Sequence, residues 1–462
     1  TSYALFTDKI EGKKTIVVTV DNCSANKPNK PNLDTNMIPV YYDETTETWK
    51  KADEENSNNN WYDYCNKKWA NSVTVSSTNR AKYLSAENGT TIPMDDILTM
   101  QVWIPRYKYK VWNYNADGTK SSNPQPIKIT FEKGTAKTGE ITCEDKIQGE
   151  NGDGTSETCK LKSTNETCTD SACNNKTYTH PAFTFGEEEI EGFWIGKFEL
   201  TGTISSITTK PNLTSLRDIN VSTFETNIMN MKNSGNNYGF NASTDTHMIK
   251  NSEWGAAAYL SHSKYGTCTN GECHEIGMNN NSNYKTGCGA EVESAPSTTC
   301  NEYNTELGKG ASTTGNIYGV YDMSGGSEEN TMANMVSNDG TTMMSGYWAS
   351  SNSGYTGKVY DDGNYTTYIG VDYPNVKYYD RYSYSTSNVS IIGSKLGDGI
   401  KEVYNTDNSG WYSDGSQPVY SGGPWFSRGS YYFFNGGAGV FTSYSDKGRG
   451  ESPISSRLVI TP

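Results

Sequence analysis

Eight of the ten cysteines fall between positions 143 and 300, in four close couples: Cys143 and Cys159, Cys168 and Cys173, Cys268 and Cys273, Cys288 and Cys300. Each couple sits in a polar stretch rich in Gly, Ser, Thr and Asn, where a free thiol gains little from burial. Short-range disulfides stapling long loops fit this pattern, with Cys23 and Cys65 completing the set. Spacing alone leaves the connectivity open. Zinc is the rival: "CTNGECH" brings Cys268, Cys273 and His274 together, but the spacing is loose and no second Cys-x-x-Cys accompanies it. The disulfide reading implies an oxidising, extracellular location.

The chain must build its core from unusual material. Only 33% of its 462 residues are hydrophobic, while Gly contributes 45 and Tyr 33. Aromatics make up 12%, which excludes a disordered chain, since such chains are poor in them. The net charge of −14 and the lack of any Lys/Arg cluster exclude a nucleic-acid footprint. No apolar run approaches the roughly 18 residues that span a bilayer. The first residue is Thr1 rather than Met, which reads as a product from which a signal segment has been removed.

Along the chain, β-branched residues at Thr15–Val20 predict a strand. The polar, Asn-rich remainder of 1–95 predicts a small β-rich anchoring or assembly region. Alternating aromatic and basic residues over Val102–Trp112 predict strands, as do Ile127–Phe131, the surroundings of Phe183, and Phe193–Leu200. Residues 134–178 form a polar, cysteine-bearing insertion. Helices are expected at Val221–Met231, with Ser222 and Glu225 as a capping box, and at Ser252–His262, ended by Gly266. Beyond Tyr303, short strands and long loops are expected.

Five landmarks then stand in order: "VWIPRYKYKV" (102–111), "FWIGKFELTG" (193–202), "SEWGAAAYL" (252–260), "GVYDMSGGSEEN" (319–330) and "PWFSRGSYYF" (424–433), closed by "SSRLVI" (455–460). This series resembles the formylglycine-generating-enzyme, or sulfatase-modifying-factor, family, a variant of the C-type lectin fold. The resemblance implies an α+β fold: an enlarged C-type-lectin-like domain over 96–462 with short strands, two main helices and long disulfide-stapled loops. It also implies scaffold roles for Trp254 on a helix, Tyr321 on a strand, and Gly325 and Gly326 in a tight turn, with Asp322 bonding backbone there. The oxidase members of that family use late paired cysteines to hold copper. Here no cysteine follows Cys300, and Asn-Val-x-Glu-Trp is replaced by Gly326-Ser327-Glu328-Glu329-Asn330, so that chemistry is not expected.

The C-terminal stretch resembles the variable region of retroelement-diversified proteins of the same fold, whose last strands and loops carry ligand contacts. By that resemblance Trp425, Phe426, Arg428, Gly429, Ala438–Phe441, Gly448 and Arg457 are scaffold. The expected contacts are Ser427, Ser430, Tyr431, Tyr432, Phe433, Phe434, Thr442, Tyr444, Asp446, Lys447, Arg449, Glu451, Pro453, Ile454 and Ser455. Tyr gives rigid amphipathic area and small polar residues adapt, as in antibody loops. Loops of 345–420, with Tyr355, Tyr365, Tyr378, Tyr379 and Tyr382 expected on the surface, would extend the face. The N-terminal "SYALFTDKIEGKKTIVVTV" resembles the mature start of camelysin-type fibre proteins, which would allow self-assembly by strand donation.

The function implied is non-catalytic binding by an adhesin or receptor on a bacterial surface, with a protein or glycan as ligand. A filament subunit displaying the lectin-like domain is the alternative, and a divergent family enzyme the third reading. Among the histidines His180, His247, His262 and His274, only His247 has a nearby Asp245, at an i, i+2 spacing unsuited to a dyad, and no Gly-x-Ser-x-Gly elbow occurs. Loop-bound calcium is the one cofactor the lectin-like resemblance allows. "GENGDGTSE" and "DNSGWYSDGSQ" both miss the EF-hand spacing. Sequons at Asn88, Asn165, Asn175, Asn212, Asn364 and Asn388 signal exposure only.

Overall fold

The computed structural model describes residues 26–110, 123–143, 159–161, 167–168, 176–388, 394–406 and 408–462. The expected strand at 15–20, most of the 134–178 insertion, Cys23 and Cys173 lie outside these residues.

The fold is mixed α+β, mostly strands. Those that position the site are β1 (Ile38–Asp43), β2 (Thr48–Lys51), β3 (Asn71–Val75), β4 (Ile97–Pro105), β5 (Gly192–Gly196), β6 (Asp245–Met248), β7 (Glu328–Met335), β8 (Asp380–Tyr382), β9 (Trp425–Gly429), β10 (Gly439–Asp446), β11 (Ile454–Ser455) and β12 (Leu458–Thr461). The described residues contain four α-helices: α1 (Ser77–Ser85), α2 (Val221–Met229), α3 (Asn251–Ser261) and α4 (Glu306–Gly310).

A seven-stranded sheet runs β6-β12-β5-β4-β3-β1-β2. β4 has neighbours on both edges and is buried along nearly its whole length, which is why "ILTMQVWIP" is an almost unbroken apolar run. β1 to β3 come from the segment before residue 95, yet they extend the sheet that β4 and β5 share. Met37, Trp61, Tyr64 and Trp69 accordingly pack in one core with Trp103, Trp194 and Trp254. The shortage of aliphatic residues is met by these large rings: Trp103 and Trp194 have centroids 5.2 Å apart, and Tyr64 stacks on Trp69 at 6.2 Å.

A second sheet runs β8-β7-β9-β10, with β11 pairing to the start of β7. A six-stranded sheet includes Tyr107–Lys110 paired with Lys128–Phe131 and with Tyr178–Thr179.

The two expected helices form, with different end chemistry. Asn220, not Ser222, caps α2: its Oδ1 accepts from Thr223 N at 3.0 Å. Glu225 instead turns inward and accepts from Met248 N at 2.6 Å. A 3-10 turn, Asn230–Lys232, tightens the end of α2. α3 is buried on every side, as an Ala-rich helix can be, and Glu253 closes its first turn by accepting from Lys250 N at 2.8 Å. α1 and α4 had no counterpart in the sequence reading.

Candidate ligand-binding surface

The turn in "GVYDMSGGSEEN" is built on buried charge. Arg457 Nε donates to Glu329 Oε2 at 2.9 Å, and its Nη2 donates to Glu329 Oε1. The same guanidinium donates to the carbonyls of Gly196 and Tyr321, each at 2.9 Å. Glu199 accepts from Ser327 N at 2.7 Å, and Asp322 accepts from Gly287 N at 2.8 Å and from the Asn279 amide at 2.8 Å. Asp322 thus bonds backbone, but backbone from another loop. Burial, then the neighbouring Asp322, pushes the Glu199 carboxyl well up. Gly325 and Gly326 adopt φ of 73° and 77°, and a Cβ on Gly326 would lie 2.5 Å from Glu199 Oε1. Tyr321 is buried as expected, though in the loop before β7 rather than on a strand.

This turn seats the β9–β10 loop. Gly325 N donates to Gly429 O at 3.1 Å, and Tyr432 N donates to Gly326 O at 3.1 Å. Within the loop, Phe434 N donates to Tyr431 O at 3.0 Å and Gly437 N to Phe434 O at 2.9 Å. The loop backbone is therefore tied down, while Phe433 is 61% exposed and Phe434 45%. Tyr431 lies 5.0 Å from Phe434 and 5.7 Å from Tyr432, ring centre to ring centre, and Phe434 lies 5.7 Å from Tyr444. The cluster continues through Tyr432 to Tyr284 at 4.9 Å, and Arg217 stacks on Tyr284 at 3.8 Å. Arg217 in turn donates to Ser452 O. One band of rings and polar groups so joins the 431–434 tip to the 449–453 segment.

The residues expected as scaffold, Trp425, Phe426, Arg428, Gly429, Ala438–Phe441, Gly448 and Arg457, are all buried. Arg428 Nε donates to Thr442 O at 2.7 Å, and its Nη1 donates to Asp398 O at 2.7 Å and Asn251 Oδ1 at 3.2 Å. The expected contacts divide. Tyr431, Tyr432, Phe433, Phe434, Tyr444, Asp446, Lys447, Arg449 and Glu451 reach solvent. Ser427, Ser430, Thr442, Ile454 and Ser455 lie beneath the surface. Ser427 Oγ donates to Glu328, Thr442 Oγ1 to Gly437 O at 2.8 Å, and Ser455 Oγ to Leu216 O at 2.8 Å, so these hydroxyls hold the scaffold. Lys447 sits at the far end of the hairpin, its Nζ 5.4 Å from the Trp348 ring centre.

Glu328 marks the middle of the band. Burial pushes its carboxyl up to about 7, opposed by the Ser427 hydrogen bond and aided by Asp446 and Glu451. Glu328, Tyr284 and Arg217 were not picked out as site residues in the sequence. Glu328 sits inside the fourth landmark, which is a signal of position; Tyr284 and Arg217 carry none.

The expectation of surface tyrosines in 345–420 needs correction. Tyr355, Tyr378 and Tyr382 are buried. Tyr355 stacks on Tyr373 at 4.3 Å, Tyr382 packs on Phe426 at 4.4 Å, and Tyr378 donates to Asp245 at 2.5 Å. Tyr365 and Tyr379 are half-buried. Each buried ring finds a stacking or hydrogen-bonding partner, which is how a Tyr-rich, Leu-poor chain fills its interior.

Cys268–Cys273 and Cys288–Cys300 are disulfides, as expected. Cys65 is also disulfide-bonded. The backbone register sets Cys143 opposite Cys159 and Cys159 opposite Cys168, and the side-chain bonding of these three lies outside the described residues. Zinc on Cys268, Cys273 and His274 is thereby excluded for the oxidised chain. Among the described residues the one group of three or more His, Cys, Asp or Glu at metal-ligand spacing is His262, Cys268 and Cys273. His180, His247 and His262 are buried, and His247 contacts Glu253 at 3.0 Å rather than Asp245. No described helix is long and apolar enough to cross a membrane.

No protein-family model and no curated protein matches the chain.

Proposed function

We propose that this chain is an extracellular, non-catalytic ligand-binding protein with a C-type-lectin-like, sulfatase-modifying-factor-like domain, and that its ligand lies against the band formed by the 431–434 tip, Tyr444 and the 446–451 segment. The observation that carries this reading is the run Tyr431-Tyr432-Phe433-Phe434. Its backbone is pinned to a buried ionic turn, yet its two phenylalanines face water. Exposed large apolar side chains on a rigid seat are costly unless something covers them, and contiguous ones mark interaction sites. Rigid aromatics of this kind supply binding area at low entropic cost. Diversification of the exposed positions is part of the same reading, because the buried positions around them hold the loop whatever the tip carries.

The test is binding of the purified protein to glycan and protein arrays, set beside a Phe433→Ser/Phe434→Ser variant of unchanged thermal stability. Loss of the wild-type hits in the variant is expected. An array profile indifferent to both substitutions would overturn the reading.

A further inference from the structure

His262 ends α3 at a place where the chain turns straight into a short hairpin. Thr267 N donates to Ser261 O at 2.7 Å and Cys268 N donates to Ser263 O at 3.1 Å. Gly266 lies so close to Ser261 that a Cβ there would meet Ser261 O at 2.0 Å. The hairpin pairs Cys268–Thr269 with Glu272–Cys273, with Cys268 directly opposite Cys273, and Asn270 and Gly271 make the turn at φ of 54° and 85°. Lys67 Nζ holds the hairpin from outside by donating to Thr269 Oγ1 at 2.8 Å. The two sulfurs are therefore kept side by side by backbone bonds that do not depend on the bond between them.

His262 is 2% exposed and packs against Trp411 at 5.1 Å and Phe441 at 5.6 Å. Its Nε2 is held by Tyr412 Oη at 2.8 Å. A ring nitrogen of His262 and both sulfurs lie within 4.8 Å of one another.

We propose that thiol reduction of Cys268–Cys273 converts this corner into a zinc-binding site formed by the two thiolates and His262. In the first step two external thiols form their own disulfide, passing two electrons and two protons to Cys268 and Cys273. In the second, Zn²⁺ replaces the two thiol protons, which leave to solvent, and His262 gives a lone pair without losing a proton. Zinc takes thiolate at about 2.3 Å and imidazole at about 2.0 Å, so in a tetrahedral site the sulfurs stand roughly 3.8 Å apart and each stands roughly 3.5 Å from the nitrogen. With Nδ1 as the metal donor, the Tyr412 contact at Nε2 would orient the ring as an outer partner. A water completes a three-ligand zinc site of this class.

The experiment uses the whole chain, reduced with dithiothreitol, freed of it without air, and titrated with Co²⁺ as the spectroscopic substitute for Zn²⁺. The expected result is thiolate-to-cobalt charge transfer with tetrahedral ligand-field bands, absent before reduction. The bands should persist in Cys288→Ser/Cys300→Ser, vanish in Cys268→Ser/Cys273→Ser, and weaken with at least a tenfold loss of affinity in His262→Asn. In the reduced wild-type chain, Zn²⁺ should shield Cys268 and Cys273 from alkylation, mapped by mass spectrometry, which needs no variant to fold. Alkylation of both cysteines at the same rate with and without Zn²⁺ would overturn the proposal, as would cobalt bands that survive in Cys268→Ser/Cys273→Ser.

Discussion

Arg457 binds both carboxylate oxygens of Glu329, and neither side chain is exposed at all. The pair joins the end of the chain to the start of β7, directly beneath the turn that seats the aromatic loop. Removing one partner leaves the other charged and buried, which costs more than the pair itself contributes. Arg457→Ala should therefore lower stability by about 3–5 kcal/mol in denaturant unfolding. A loss below 1 kcal/mol would show that the pair does not hold this junction.

The aromatic tip and the buried tyrosines should behave in opposite ways. Phe433→Ser/Phe434→Ser removes exposed rings and should change stability by no more than about 0.5 kcal/mol per site. Tyr382→Ala removes a ring that packs on Phe426 and whose hydroxyl accepts from Asn251 at 3.0 Å, and should cost about 3–5 kcal/mol. Thermal unfolding of the two variants side by side checks both figures, and equal losses would contradict the assignment of surface and core.

Stability should fall as pH rises through the region where Glu225 titrates. Burial, with Glu253 adding and the Met248 N–H opposing, pushes Glu225 up from 4.5 to about 8. Between those values the folded chain holds a proton that the unfolded chain has released. The contribution is full below pH 4.5 and lost as pH rises to about 8. Glu225→Gln keeps the shape without the proton. Its denaturation midpoint should gain on that of the wild type between about pH 5 and about pH 8.5. A difference that stays constant across that range would count against a buried, protonated Glu225.

Cys288–Cys300 closes a loop at a sequence separation of 12. Opening it by Cys288→Ser/Cys300→Ser should cost about 3 kcal/mol, the value for loops of this length. An unchanged unfolding midpoint would mean that the loop is held by its other contacts, such as Gly289 N donating to Asn301 O at 2.9 Å.

Much of this was legible in the sequence because it is local. The Ala-rich run of α3, the close cysteine couples and the Gly-Gly turn each act within a few residues. The division of 425–457 into scaffold and contact was legible in part. The resemblance marks Trp425, Arg428 and Arg457 as scaffold, and they are buried, but Ser427, Thr442 and Ser455 are small polar residues whose burial depends on partners far away. The burial of the tyrosines of 345–420 is not legible, because Tyr suits both surface and interior and only stacking partners such as Tyr373 and Phe426 decide between them. β1 to β3 read as a region of their own, since strand pairing across residue 95 is a long-range event with no local signature. Tyr284 and Arg217 join the band only through Tyr432 and Ser452, contacts that no spacing reveals.

The measurement that tests the binding face most directly is deep sequencing of the gene's 3′ end across a population of near-identical cells. If the 431–434 tip and the 444–451 segment form an exchangeable ligand surface on a fixed support, substitutions should concentrate at Tyr431, Tyr432, Phe433, Phe434, Tyr444, Asp446, Arg449 and Glu451. They should spare Trp425, Arg428, Gly429 and Arg457. Substitutions spread evenly over buried and exposed positions, or a segment as constant as the rest of the gene, would contradict that account.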